Sequence, residues 1–172
     1  HGRQIDYIRL SVTDRCNLRC TYCMAEEMEF LPRRDLLTFE EIETLARHLV
    51  VRGVRRIRLT GGEPLVRKGV LELVERLTRL RTHGLNELTL TTNGTRLPEM
   101  AQDLFDVGVR RINISLDTLR RDRFAELTRR DEFERVVSGI DAARDADLAV
   151  RINAVAMRGT NDDEMRDLLA SV

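Results

Sequence analysis

The chain has 172 residues and reads as one domain (1–172), long enough to bury about 70% of the surface its unfolded form exposes. Hydrophobic residues at 42% and charged residues at 34% are the mix of a soluble globular protein; with aromatics at 4% and no Trp, the core falls to Leu, Val, Ile and Ala, which favours a parallel α/β architecture. The 29 basic and 29 acidic residues cancel, which argues against a nucleic-acid or membrane-surface role, and no run is long or apolar enough to span a bilayer.

Ile8, Leu10 and Val12 alternate with Arg9 and Ser11, the pattern of a short strand, and the three cysteines follow it at once. Met24 to Leu37 reads as an irregular loop. Thr38 with Glu41 forms a capping box, and Ile42, Leu45, Ala46 and Leu49 mark one face of a helix that Gly53 stops. Val54 to Thr60 is the second predicted strand, followed by Gly61-Gly62-Glu63-Pro64 and by a helix from Val70 to Leu80, closed near Gly84. Glu87 to Thr92 is the third strand, ending at the turn Asn93-Gly94; Met100, Leu104 and Phe105 place a short helix before Gly108. Arg111 to Leu116 is the fourth strand, with Asp117 opening the next loop, and two helical pieces follow, the longer carrying Phe133, Val136, Val137 and Ile140. Val150 to Val155 is the fifth strand, and Asn161 with Glu164 is expected to cap a last helix containing Met165, Leu168 and Leu169.

Strands alternating with helices predict repeated βα units around a parallel sheet, whose ligands bind at the carboxyl ends of the strands. Every unusual stretch falls there: the cysteine loop, Gly61-Gly62, Thr91-Thr92-Asn93-Gly94 and Ser115-Leu116-Asp117. Arg9, Arg58 and Arg151 sit inside strands where alternation turns them away from Ile, Leu and Val, and Arg facing an interior is costly unless it meets an anion. Lys68 is the only lysine, so an anion site here must be built of guanidinium.

The cysteines occur as Cys16-x3-Cys20-x2-Cys23, with Tyr22 before the last and no fourth cysteine. A structural zinc site or an electron-transfer cubane takes four protein ligands; three thiolates around one cluster leave one iron open to a small molecule. Competing readings are three small residues on one helix face, a Cys20-x-x-Cys23 redox dithiol, and zinc completed by a histidine. An odd number of cysteines with no visible secretory signal points to the reducing cytoplasm.

The spacing with Tyr22 resembles the signature of the radical S-adenosylmethionine (SAM) superfamily. The stretches Ile8–Asn17, Ile57–Leu65, Leu90–Gly94 and Arg111–Asp117 further resemble, in register, the GTP 3′,8-cyclase family of molybdenum-cofactor (molybdopterin) biosynthesis. That resemblance implies a partial (β/α) barrel of the radical-SAM core type. It implies a [4Fe–4S] cluster on Cys16, Cys20 and Cys23, with SAM on its open iron contacted by Tyr22, Gly62 and Ser115. It places GTP on Arg9, Arg58, Thr91 and Arg151, the last often Lys in the family. It implies a lyase that uses a 5′-deoxyadenosyl radical to turn GTP into 3′,8-cyclo-7,8-dihydro-GTP, and it implies an electron donor, cyclic pyranopterin monophosphate synthase as pathway partner, and compatibility with a homodimer. The family's C-terminal half, with a second [4Fe–4S] cluster on three further cysteines and a Gly-Gly tail, has no counterpart in these 172 residues. The chain opens at His1 and stops in or just after a helix, so it is expected to be part of a longer protein, its barrel cut before the last strand and not competent alone for cyclisation. The alternatives are another radical-SAM enzyme with a different substrate and a zinc or dithiol module.

Overall fold

The computed structural model describes residues 2 and 4–170. Five strands form one parallel sheet in sequential order: β1 (Tyr7–Ser11), β2 (Arg56–Thr60), β3 (Glu87–Thr92), β4 (Arg111–Ser115) and β5 (Ala149–Asn153). Between and after them run α1 (Phe39–Val51), α2 (Val70–Thr78), α3 (Leu97–Asp106), α4 (Arg121–Thr128), α5 (Phe133–Asp145) and α6 (Met165–Ala170). The sheet is open, with β1 and β5 at its edges, so the expected partial barrel is what forms.

Strand alternation divides the sheet into two unlike faces. Ile8 pairs with Ile57, Leu10 with Leu59, Leu59 with Leu90, Leu90 with Ile112 and Ile112 with Val150, so one face is aliphatic throughout. The helices cover that face: Ala46, Val50, Leu73, Val74, Leu77, Leu104, Val136 and Ala143 join the strand residues in one core. Each fully buried Leu or Ile contributes about 1.5–3 kcal/mol relative to exposure. The opposite face pairs Arg9 with Arg58, Arg58 with Thr89, Thr91 with Asn113 and Asn113 with Arg151. No helix of the described residues is long and apolar enough to cross a membrane.

The capping box at α1 forms as expected, Glu41 N–H donating to Thr38 Oγ1 at 3.2 Å and Thr38 N–H to Glu41 Oε2 at 2.7 Å. Gly53 ends that helix at φ 109°, in the left-handed region glycine tolerates. The second helix, α2, was expected to run unbroken to Leu80, but it tightens after Thr78 into a 3-10 turn over Arg79–His83. Asn161 and Glu164 do not cap α6. Asn161 Nδ2 instead donates to the carbonyls of Asp117 (2.7 Å) and Val155 (2.9 Å), and Glu164 accepts from Thr118 Oγ1 (2.7 Å) and Leu119 N–H (2.7 Å). Both side chains are buried, and buried polar groups take the partners burial brings them, here the segments after β4 and β5.

Gly139, on α5, faces the turn after β3: an added Cβ would lie 2.3 Å from the Gly94 carbonyl and 3.2 Å from Leu97 Cβ. Gly139→Ala is expected to cost about 1–3 kcal/mol through forced separation of α5 from that turn. Urea unfolding followed by circular dichroism reads it; an unchanged midpoint would show that the helix shifts freely.

Candidate functional site

The cysteine loop leaves β1 and lies across the carboxyl ends of the other strands. Leu18 is driven into the core, 3% exposed, and pins the middle of the loop. Arg19 N–H donates to the Thr128 carbonyl (2.9 Å) and Thr21 N–H to that of Leu127 (2.8 Å), tying the loop to the end of α4. Cys16 and Cys20 are half-buried, Cys23 is exposed, and all three are free thiols.

The Gly-Gly turn fixes the other side of the loop. Gly62 N–H donates to the Thr13 carbonyl (2.7 Å) and Glu63 N–H to that of Arg15 (2.8 Å). A Cβ at Gly62 would lie 2.4 Å from the Arg15 carbonyl oxygen, and one at Gly61 2.4 Å from that of Thr13. Both glycines are therefore needed for the turn to pack on the cysteine loop, whatever else approaches them.

Glu63 is 1% exposed and accepts three hydrogen bonds, from Leu65 N–H (3.0 Å), Thr92 Oγ1 (2.7 Å) and Asn93 N–H (2.6 Å). Burial pushes its carboxyl up from the ordinary range, and the three donors oppose that shift. Asn93 carries the network onward. Its Oδ1 accepts from Thr95 N–H (3.1 Å) and Thr95 Oγ1 (2.7 Å), which orients Nδ2 toward Asn17 Oδ1 (2.9 Å) and Cys16 Sγ (3.8 Å). Leu18 N–H also donates to Cys16 Sγ at 3.4 Å.

Tyr22 turns its hydroxyl to Asp117 Oδ2 at 2.6 Å, while Asp117 Oδ1 accepts from Val155 N–H at 2.8 Å. Burial and that carboxylate together push loss of the phenol proton well above its usual range. Tyr22, Cys20, Ser115, Asp117 and Asn93 line a cavity of about 30 Å³, with Phe124 and Leu127 as its apolar floor. The structure thus brings Cys20, Tyr22 and Ser115 together, whereas Gly62 faces the loop from the β2 side and does not line this cavity. Asn93, Asp117 and Glu63 escaped the sequence reading as site residues. The stretch Thr-Thr-Asn-Gly signalled a turn, and nothing local shows that its amide reaches a cysteine.

On the polar face Arg9 and Arg58 stand side by side on β1 and β2, and Thr91 and Arg151 share a row through Asn113. Arg58 and Arg151 are three strands apart, roughly 14 Å at ordinary strand spacing. Arg58 Nε and Thr91 Oγ1 are buried without a partner among the described residues. Such atoms carry a desolvation cost that a polar ligand would relieve.

An open βα sheet with a three-thiol loop across its strand ends defines a partial (β/α) barrel with three thiol ligand candidates at its mouth. The sequence profile of the radical SAM superfamily matches residues 10–172, and the chain belongs to that superfamily, with its [4Fe–4S] cluster and SAM as cofactors. It is 57% identical over 169 residues to a GTP 3′,8-cyclase of Rhodopseudomonas palustris, covering 98% of this chain and 49% of that protein. It is 55% identical over 168 residues to one of Rhizobium etli, covering 98% and 48%. The chain thus spans about half the length of the curated relatives it matches. Among solved structures it superposes on Streptococcus suis SuiB bound to S-adenosylmethionine with a TM-score of 0.75, 19% identity, and coverage of 97% of this chain and 38% of that one. Against anSMEcpe with bound AdoMet the TM-score is 0.71 at 18% identity, over 96% and 47%.

The donor set suits the cluster. Three unoxidised thiols share one short loop, and two N–H donors already point at Cys16 Sγ, where they would stabilise a thiolate. Among the described residues no three His, Cys, Asp or Glu side chains are drawn into a ready metal cage, so the thiols would converge on binding. Burial, and after it the neighbouring Cys16, push the Cys20 thiol up to about 11. In the metal-free protein Cys20 should therefore react with iodoacetamide more slowly than exposed Cys23 at pH 8, the gap narrowing as pH rises toward 11 and Cys20 ionises. Peptide mass spectrometry of the two adducts checks this; equal rates at pH 8 would remove the burial argument.

Proposed function

We propose that this chain is the SAM-binding half of a GTP 3′,8-cyclase. The observation that carries the reading is the placement of a basic sheet face, with two unpartnered polar atoms, directly beneath a three-thiol loop. The 55–57% identity to curated GTP 3′,8-cyclases, held over 98% of the chain, supports the choice of substrate. Cys16, Cys20 and Cys23 would hold the cluster. Tyr22 and Ser115, beside Cys20, and the Gly62 backbone would hold SAM. When bound, cluster and SAM supply a 5′-deoxyadenosyl radical able to abstract a hydrogen atom from a ribose carbon.

The chain's own residues do the positioning. Arg9 and Arg58 offer adjacent guanidiniums to a triphosphate; Thr91 offers a hydroxyl one row nearer the cysteine loop, and Arg151 a cation at the far edge. Asp117 holds Tyr22 down, and Asn93 holds Cys16 and Asn17, so the loop edge is fixed before any ligand arrives. These groups recognise phosphate and ribose, and none of them presents a pattern specific for guanine. Guanine choice then falls to residues beyond these 172, and the same reading carries with it an electron donor, cyclic pyranopterin monophosphate synthase as the next enzyme, compatibility with a homodimer, and a cytoplasmic location.

Competition titrations test this. The chain should bind GTP and ATP about equally, with affinity falling as salt rises, because screened charge attraction does not read the base. Arg58→Ala should weaken both about tenfold or more, the cost of losing a charge-assisted hydrogen bond. A strong GTP preference by residues 1–172 alone would overturn this division of labour, and unaltered binding by Arg58→Ala would overturn the phosphate site. Anaerobic reconstitution should give one cluster per chain, lost in each of Cys16→Ala, Cys20→Ala and Cys23→Ala; a full cluster in any of the three would overturn the ligand assignment.

A further inference from the structure

Several surface cations of this chain pair off with carboxylates. Arg47 meets Glu43, Arg76 meets Glu40 and Glu72, Arg79 meets Glu75, and Arg121 meets Asp131, each within 2.8 Å. In one groove several cations gather with no acid among its lining residues. Arg15, Arg33, Arg67 and Lys68 line a groove of about 410 Å³ between the cysteine loop, the start of α1 and the turn after Gly62. Its remaining walls include Leu36, Phe39 and Val66, and neither Asp nor Glu lines it. On the other side of Lys68 a second cavity of about 410 Å³ repeats the composition, with Arg67, Lys68 and Arg96 around Leu65 and Met100.

Arg67 shows how uncompensated this charge is. Its guanidinium donates to the carbonyls of Val12 and Leu37 at 2.5 Å and stacks 4.5 Å from the Phe39 ring. Burial lowers its pKa, and no neighbouring carboxylate offsets the loss of water. Arg15 packs over Phe30 at 5.6 Å, again on a ring rather than an acid. A basic rim around an apolar floor suits an acidic protein partner: charge steers the encounter, and small redox interfaces bury little area.

The groove also adjoins the redox site. Arg15 immediately precedes Cys16, and its carbonyl is the one bonded by Glu63 N–H at 2.8 Å, so one groove wall is the cluster loop itself. We propose that the surface around Arg15, Arg33, Arg67 and Lys68 is the docking site for a small acidic one-electron carrier that reduces the cluster. The inference rests on the cofactor reading above. In the step it serves, the carrier is oxidised by one electron and the cluster is reduced from [4Fe–4S]2+ to [4Fe–4S]+, with no bond or proton exchanged.

The experiment follows cluster reduction in the reconstituted holoenzyme by stopped-flow absorbance, with two reductants. One is reduced plant-type ferredoxin, a small acidic carrier; the other is photoreduced 5-deazariboflavin, which is small and uncharged. The double variant Arg33→Glu, Lys68→Glu should slow reduction by ferredoxin about tenfold or more at low salt, the scale of electrostatic steering, and leave reduction by deazariboflavin unchanged. High salt should remove most of the difference between variant and parent. Equal slowing with both reductants would place the effect at the cluster and overturn the docking site, as would an unchanged ferredoxin rate. Tight inorganic pyrophosphate binding that is lost in the variant, with an unchanged ferredoxin rate, would identify a small-anion site instead. Failure of deazariboflavin to reduce the parent would sink the cofactor reading itself, a result separable from all the others.

Discussion

A buried carboxylate holds the site together. Glu63 sits with 1% of its surface exposed among three donors, one from its own turn and two from the end of β3. Losing it would leave Leu65 N–H, Thr92 Oγ1 and Asn93 N–H buried and unpaired, each at a cost of about 1–3 kcal/mol. Through Asn93 the same network reaches Asn17 and Cys16. Three loops that the sheet merely brings near one another are in this way fixed relative to one another. The cysteine loop, which is short of regular structure, borrows its rigidity from that hydrogen-bonded side chain.

The strands and most helices were legible because the sheet has one aliphatic face, and a period of two is hard to mistake when a polar residue such as Arg9, Arg58, Thr89, Asn113 or Arg151 separates the aliphatics. The four carboxyl-end stretches were legible as a group for the same reason: they are where that period breaks. The failure at Asn161 and Glu164 is instructive. A residue pair three apart with a carboxylate at the second position fits a capping box, and it did form one at Thr38 and Glu41. At Asn161 the same local pattern met Asp117, Thr118 and Leu119, which arrive from more than forty residues away in sequence. Local spacing carries no record of such partners, which is also why Asn93 and Asp117 went unnoticed as site residues.

Net charge was similarly uninformative about place. The sum of zero conceals both helix-surface pairs, such as the cluster of Arg76 with Glu40, Glu43 and Glu72, and two local gatherings of cations. One is the sheet face bearing Arg9 and Arg58; the other is the groove of Arg15, Arg33, Arg67 and Lys68. A neutral total still argues against binding a long polyanion, but it does not argue against local anion or protein recognition.

The two-faced sheet also explains how so distant a set of proteins can share this core. The aliphatic face asks only for branched or leucine side chains of about the right volume, and cores accept such exchange at modest cost. Identity can therefore fall to 18–19% while TM-scores remain 0.71–0.75, as the superposed structures have it. The polar face is under no packing constraint of that kind. Arg9 and Arg151 on it are exposed, whereas Thr89 and Asn113 are buried, so a change at the exposed positions alters recognition while the helices stay seated on the other side. At 55–57% identity over nearly the whole chain, the relatives named as GTP 3′,8-cyclases retain far more than the aliphatic face requires.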